Sequence, residues 1–345
     1  MPPTSRIPPL LQPFVRTPKN ESLLLLTSTL DASANWLLTR FLCDALGSGQ
    51  KDNDNGGAKN VVLVSWMNDY EFWRQESRKG TGLDLGGLRT LGRFAFVDGL
   101  SGLFLPAAED GADQQRPQSL PAAQPGVPAT RGPQSLPLRG PPGRTTPATA
   151  TAQAAPRAPT SQPGLYALSS TSLDHINATV TAAIASLRPS PAAPRTLVIL
   201  DNPDILLACV PGLTPASLTS FFLGLHTQPS VSHVLIHLQS DLALLAPPER
   251  PSPLQIAQQN LVVRTAHMSA KVLGVRVLDT GVARDVSGVL RVTVNRESWA
   301  DIATVGEGAE GGAVQAPEEG GSEVLYKVNG DGSVRVFERG AGAAA

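Results

Sequence analysis

Charge is scarce and balanced in this sequence. Only 17% of its 345 residues are charged, and 28 basic against 29 acidic side chains leave a net charge of −1. A protein that holds nucleic acid by bulk electrostatics carries a basic excess, so any polyanion site here is local or shared with a partner. Cysteine is nearly absent: Cys43 and Cys209 stand far apart, with no Cys-x-x-Cys and no Cys/His spacing around them, which argues against a disulfide scaffold and a zinc module. No apolar run approaches the ~20 residues of a membrane span. Pro2, Pro3, Pro8, Pro9 and Pro13 break the N-terminal stretch in which a signal peptide needs a continuous apolar run. The sequence reads as that of a soluble, intracellular chain.

What the sequence has in quantity is glycine (32) and proline (31), concentrated where packing is impossible. Residues 105–162 are Pro, Ala, Gly, Ser and Thr with few large apolar side chains, and such a segment cannot bury enough surface to offset its ordering entropy. It is expected to be a disordered insertion. Pro-Gln-Ser-Leu-Pro occurs in it twice, at 117–121 and 133–137, and Arg116, Arg131, Arg139, Arg144 and Arg157 make its later part basic. A second soft loop, 301–322, is Gly/Glu-rich, and 340–345 is a disordered tail. The remaining parts, 1–104 and 163–339, are the two halves of one α/β domain.

Those halves alternate strand-like and helix-like blocks. Continuous apolar runs at 23–27, 61–66, 94–97, 197–200 and 233–238 predict strands buried on both faces, as in a parallel sheet. Helical spacing covers 35–46, 69–79, 83–91, 173–187 and 214–226, the last entered through Thr214-Pro215. The C-terminal part reads as strands at 261–267, 272–278 and 288–295, then a hairpin of 324–328 and 333–337 around Asn329-Gly330-Asp331-Gly332. A mostly parallel twisted sheet flanked by helices and finished by antiparallel strands is the outline of a RecA-like domain.

That outline raises nucleotide hydrolysis, which needs Gly-x-x-x-x-Gly-Lys-[Ser/Thr] after the first strand so that backbone N–H groups and the lysine hold the phosphates. Residues 27–36 read Thr-Ser-Thr-Leu-Asp-Ala-Ser-Ala-Asn-Trp, without glycine or lysine, and Asp31 repels phosphate. None of the lysines (19, 51, 59, 79, 271 and 327) follows a glycine anywhere in the chain. No bound cofactor and no catalysis are expected. Asp201 ends the run 197–200 in the manner of a magnesium-positioning aspartate, but many α/β strands end so, and an Asx turn before Pro203 is the favoured reading; Asp98 is equally ambiguous. His233 and His237 lie in a strand-like setting without a third ligand cluster, which favours structural histidines over metal ligands. No Gly-x-Ser-x-Gly elbow occurs, and the spacing supplies no catalytic constellation.

The most informative block is 65–80, which carries four of the few aromatic residues: Trp66, Tyr70, Phe72 and Trp73. At ~100° per residue, positions 70, 72 and 73 span a wider arc than a one-sided core stripe needs. Core and partner interface both fit these residues, and with Arg74 they are the candidate subunit interface.

The block Ser-Trp-Met-Asn-Asp-Tyr-Glu-Phe-Trp-Arg at 65–74, with Arg-Lys-Gly-Thr-Gly-Leu-Asp-Leu at 78–85, Phe-Val-Asp-Gly-Leu at 96–100 and Leu-Asp-Thr-Gly-Val-Ala-Arg-Asp-Val-Ser-Gly-Val-Leu-Arg-Val at 278–292, resembles the family of the sixth subunit of the Elongator complex, in a fungal form. The likeness covers most of residues 10–339 outside the two soft segments. The resemblance implies a RecA-like subunit without a phosphate-binding loop. Its expected partners are the fourth and fifth Elongator subunits, in a hetero-hexameric ring, and the catalytic Elongator subunits. The ring binds tRNA and supports wobble-uridine modification in the cytoplasm, with the nucleus a second location. Arg264, Arg276, Arg284 and Arg291 are the candidate phosphate or RNA contacts. Two alternatives stay open: a degenerate recombinase-type DNA-repair paralogue, which calls for a basic loop where 241–253 offers only Arg250, and an active nucleotide hydrolase.

Overall fold

The computed structural model describes residues 7–18, 21–47, 59–104, 162–188, 196–245, 250–281, 283–295 and 321–338. The expected insertion, all but Gln162, lies outside the described residues, as do the C-terminal tail and the soft loop up to residue 320. In chain order the elements are α1 (Gln12–Val15), β1 (Ser22–Ser28), α2 (Asn35–Leu46), β2 (Asn60–Ser65), α3 (Tyr70–Thr81), α4 (Leu85–Thr90), β3 (Phe94–Asp98), α5 (Ser101–Phe104), β4 (Leu165–Ala167) and α6 (Leu173–Ala185). There follow β5 (Thr196–Asp201), α7 (Ile205–Cys209), α8 (Pro215–His226), β6 (Val231–Gln239), α9 (Leu242–Leu245), α10 (Pro253–Met268), β7 (Lys271–Arg276), β8 (Gly288–Val294), β9 (Ser322–Val328) and β10 (Val334–Glu338).

Among the described residues these strands make one sheet in the order β10-β9-β8-β7-β1-β6-β5-β2-β3-β4. From β7 to β4 every pairing is parallel, and β7 to β10 pair antiparallel. Because successive side chains in a strand point to opposite faces, each apolar run feeds two cores. Leu24, Leu26, Val61, Leu63, Leu197, Ile199 and Leu235 face a layer that includes α1 to α4. Leu23, Leu25, Val62, Val64, Val198, Leu200, Val234 and Ile236 face α6, α8 and α10. The helices therefore cross to the opposite face between β3 and β5. Such a reversal of winding opens a crevice at the carboxyl ends of the central strands.

Local signals set the helix limits. Asp69 caps α3 by accepting from Phe72 N at 2.8 Å, and Gly82, at φ 65°, ends it in the left-handed conformation that a side chain disfavours. Trp73, Ser77 and Thr81, four residues apart, are its buried stripe. The hairpin of β9 and β10 docks on α2: Trp36 and Tyr326 stack with ring centroids 4.6 Å apart. Arg40, 1% exposed, donates to Gly332 O at 2.8 Å, and burial pushes its guanidinium below the ordinary arginine value. At the amino ends of the strands Lys271 Nζ donates to the carbonyls of Phe14 and Arg16, both at 3.2 Å, which fastens α1 down.

Residues 261–267, expected as a strand, lie inside α10. The segment opens on the apolar run Leu-Val-Val, two of whose residues are β-branched. A capping box decides otherwise: Ser252 Oγ accepts from Gln255 N while Gln255 Oε1 accepts from Ser252 N, and Pro253 opens the first turn. Gln258, Leu261 and Thr265 are then buried at helical spacing. The short edge strand β4 had no sequence signal.

Candidate functional site

The carboxyl ends of β1, β6, β5 and β2 each place a polar side chain on the α2 face of the sheet, and register brings them together. Ser65 stands opposite Asp201, and Asp201 opposite His237. Ser65 Oγ donates to Asp201 Oδ2 at 2.6 Å; Asp201 Oδ1 lies 2.8 Å from His237 Nδ1; and His237 Nε2 lies 2.8 Å from Ser28 Oγ. A proton on His237 Nδ1 lets the carboxyl accept there and Nε2 accept from Ser28, so one tautomer satisfies the row. Ser28, His237 and Asp201 thus have the connectivity of a Ser-His-Asp triad, which sequence spacing did not reveal. They are 1%, 2% and 0% exposed, so this serine meets no substrate in the folded chain.

Asp201 is not the head of an Asx turn. Its two oxygens go to side chains on neighbouring strands, and Asn202 N donates instead to His237 O at 3.0 Å. Asp98 does make the local turn: its Oδ1 accepts from Leu100 N and Ser101 N, each at 2.8 Å.

The connection from β1 to α2 occupies the position of a phosphate-binding loop and closes on itself. Ala32 N donates to Thr29 O at 2.9 Å, and Leu30 N donates to Asp241 Oδ1 at 2.8 Å, so a carboxyl of this chain sits on a backbone donor there. Ser240 N and Oγ both donate to Ser28 O, at 2.8 and 3.0 Å. Two backbone N–H groups of this connection, those of Leu30 and Ala32, are thereby occupied within the chain rather than open to a phosphate.

The aromatic block divides. Trp66 and Trp73 are 0% exposed, which removes them from a partner-facing surface. Trp73 packs in the layer under α2 and α3, and Trp66 packs in the opposite one. Tyr70 and Phe72 are half-buried against the first layer, with the Arg89 guanidinium 5.5 Å from the Tyr70 ring centre. Arg74 is exposed and pairs with Glu71 at 2.7 Å.

The four candidate arginines stand on different elements, and two of them, Arg276 and Arg291, lie beside the same acid, Glu323. Arg264, expected in a strand, is exposed on α10. Arg276 ends β7, bonded to Asp279 and 3.6 Å from Glu323, and these acids hold its guanidinium above the ordinary value. Arg291 is exposed on β8 opposite Glu323, and Arg284 is exposed in the connection before β8. His233, 3% exposed, reaches Pro18 O at 3.0 Å through Nε2, a structural role.

No protein-family profile and no curated protein sequence matches this chain. Among solved structures it is similar to an uncharacterized protein from Pyrococcus horikoshii in complex with an unknown peptide, at TM-score 0.51 and 10% identity over 96% of this chain and 98% of that one. A KaiC-like protein from the same hyperthermophilic archaeon matches at TM-score 0.48 and 10% identity, over 96% and 97%. At such identity a likeness concerns the fold alone; the strand order above, a parallel sheet finished by antiparallel strands, is the RecA-like α/β outline, with a closed, self-bonded row at the carboxyl ends of its central strands.

Proposed function

We propose that this chain is a non-catalytic RecA-like subunit of the Elongator accessory ring, assembled with the fourth and fifth subunits, which binds tRNA and supports wobble-uridine modification by the catalytic subunits. The observation that supports the non-catalytic half is the row at the strand ends. Ser28, His237, Asp201 and Ser65 satisfy one another in the interior, and the loop after β1 has neither the glycine nor the lysine of a phosphate site. A nucleotide would have to displace buried hydrogen bonds before finding any partner. The Elongator half is supported by the sequence resemblance of residues 65–74, 78–85, 96–100 and 278–292. A net charge of −1 agrees with an RNA site built from several chains, since one such chain has little long-range attraction for a polyanion.

The test is affinity purification of the tagged chain from its host. The fourth and fifth subunits should co-purify, and wobble uridines should be unmodified when the gene is deleted. The reconstituted ring should bind tRNA with a steep salt dependence, roughly 0.7–0.9 log units of affinity per phosphate neutralised for each log unit of salt, and the single chain weakly. Normal wobble modification in the deletion strain refutes the Elongator assignment. Magnesium-dependent ATP turnover by the pure chain refutes the non-catalytic one, and DNA-repair partners in the purification favour the recombinase-type alternative.

A further inference from the structure

Among the described residues β10 is the last strand at the antiparallel end of the sheet, paired with β9 on one side and open on the other. Which of its backbone groups face the open side follows from the hairpin. Asn329 N donates to Ser333 O at 2.9 Å, and hydrogen-bonded and non-hydrogen-bonded pairs alternate along an antiparallel ladder. Arg335 and Phe337, opposite Lys327 and Leu325, therefore direct their N–H and C=O groups to β9. Those of Val334, Val336 and Glu338 point outward. The strand runs through Val334–Glu338 without proline or bulge, so its two charges, Arg335 and Glu338, are what is left to keep this edge from pairing with another chain. In a second copy of the same strand each of them meets a favourable neighbour.

Val334 and Val336 pack in the layer under α2, alternation puts Glu338 on that same face, and Arg335 and Phe337 take the other. In a symmetric antiparallel pair, outward residues must meet outward residues, so the twofold axis passes through a residue of the strand. An axis through Arg335 sets that guanidinium against its own copy, and one through Phe337 leaves Val334 with no strand residue opposite. An axis through Val336 joins Val336 to Val336, and Val334 to Glu338 in both directions, which uses every outward group. It also sets Arg335 opposite Phe337 of the second copy, at the spacing that lets a guanidinium lie over the ring. Glu338 of the second copy then stands beside Val334. That is the end of the strand where Lys79 lies, since a Cβ on Gly332 would be 3.2 Å from Lys79 Cγ, and both Lys79 and Glu338 are exposed. We infer that β10 joins a second copy of this chain, antiparallel about an axis through Val336, into one continuous sheet. The contact is short, so the dimer belongs to the weak class that buries less than ~1,200 Å2. Nothing in this inference rests on the Elongator reading.

Sedimentation of the full-length chain over a concentration series should show a monomer–dimer equilibrium with a dissociation constant of roughly 1–100 µM. Val336→Pro removes the central outward N–H, which takes no part in the ladder to β9, so it should weaken the dimer at least about tenfold with little change in melting temperature. Lys79→Glu and Glu338→Lys should each weaken it about threefold, and the two together should restore it. If Val336→Pro does not fold, cysteine pairing decides. With the exposed Cys209 replaced by serine, oxidation of an equimolar mixture of Arg335→Cys and Phe337→Cys should give cross-linked dimer, and either variant alone should not, because only these two positions stand opposite each other. A chain that stays monomeric up to about 1 mM, a dimer that Val336→Pro leaves unchanged, or equal cross-linking in every sample overturns the inference. A monomeric wild-type chain whose Val336→Pro variant loses a partner protein gives the edge to a foreign strand, and overturns it as well.

Discussion

Asp201→Ala should cost stability rather than activity, and the size of the loss follows from the two side chains it strands. Ser65 Oγ at 2.6 Å and His237 Nδ1 at 2.8 Å both face this carboxyl, and none of the three residues is more than 2% exposed. Alanine removes the acceptor and admits no solvent. Each stranded donor costs about 1–3 kcal/mol, together about 2–6 kcal/mol against the ~5–15 kcal/mol of a whole domain. Ser65 keeps one bond, since its oxygen still accepts from Asn68 N at 3.1 Å, which places the expected loss in the middle of that range. Urea unfolding should show the midpoint lowered by about 1–2 M with an unchanged slope.

Tryptophan fluorescence suits the measurement because Trp73 and Trp66 lie in opposite layers of the core, and coincidence with circular dichroism tests whether the layers unfold together. Ser65→Ala removes one donor and leaves Asp201 its contact with His237, so it should cost about 1 kcal/mol. A true magnesium-positioning aspartate behaves oppositely: its removal abolishes turnover and leaves the fold intact. Wild-type stability in Asp201→Ala, accompanied by loss of a magnesium-dependent ATPase activity, would refute the reasoning.

Gly332 sits at φ 79°, and a Cβ there would meet Gly80 Cα at 3.0 Å; Gly332→Ala should destabilise by about 2–3 kcal/mol, and an unchanged melting temperature would show that the hairpin turn relaxes freely. Burial raises the Asp204 carboxyl above the ordinary aspartate value, so its contribution to stability is fully present below the unfolded pKa of ~3.9 and is lost as pH rises through the folded one. Relative to wild type, Asp204→Asn should therefore gain stability from pH ~4 toward 7, and a pH-independent difference in urea midpoints counts against the assignment. Trp73→Ala should cost ~3–5 kcal/mol of stability, whereas Tyr70→Ala and Phe72→Ala, half-buried, should weaken ring assembly by at least about 2 kcal/mol if they are interface anchors; pull-down with the partner subunits separates the outcomes. Replacing residues 107–160 by a short Gly/Ser linker should leave the melting temperature unchanged, and loss of folding would show that composition misleads.

The central strands were readable because burial on both faces leaves a continuous apolar run, short and bounded by turn residues as a strand is and a buried helix is not. The strand expected at 261–267 is part of a helix whose buried stripe includes Gln258 and Thr265: polar residues in a core break the apolar periodicity, and only Ser252-Pro253 with Gln255 marks the start. The aromatic arc at 70–73 was wide for a real reason, since the α3 stripe runs through Trp73 and small polar Ser77 and Thr81, with Tyr70 and Phe72 at its margin. The polar row was invisible because its members lie 37, 136 and 36 positions apart along the chain and meet only through strand pairing, Ser65, Asp201 and His237 in register and Ser28 diagonally across from His237. A weak signal existed: Ser65 and Asp201 each follow an apolar run directly, and Ser28 follows one after Thr27.

The same residues explain why this end of the sheet can be stable without a ligand. A nucleotide site leaves backbone N–H groups and a carboxylate open for phosphate and metal, and an empty one must rely on water to satisfy them. Here Leu30 N is bonded to Asp241, Ser28 O to Ser240, and Asp201 to two neighbouring strands. Four strands are thereby tied laterally where the winding reverses and the sheet would otherwise open into a crevice. Restoring glycine and lysine to residues 29–34 would therefore not restore phosphate binding. The Asp241 carboxyl and the His237–Asp201 bond would still stand in the way, so under the proposed non-catalytic reading a coupled ATPase assay should find no turnover in such a variant until Asp241 and His237 are also replaced.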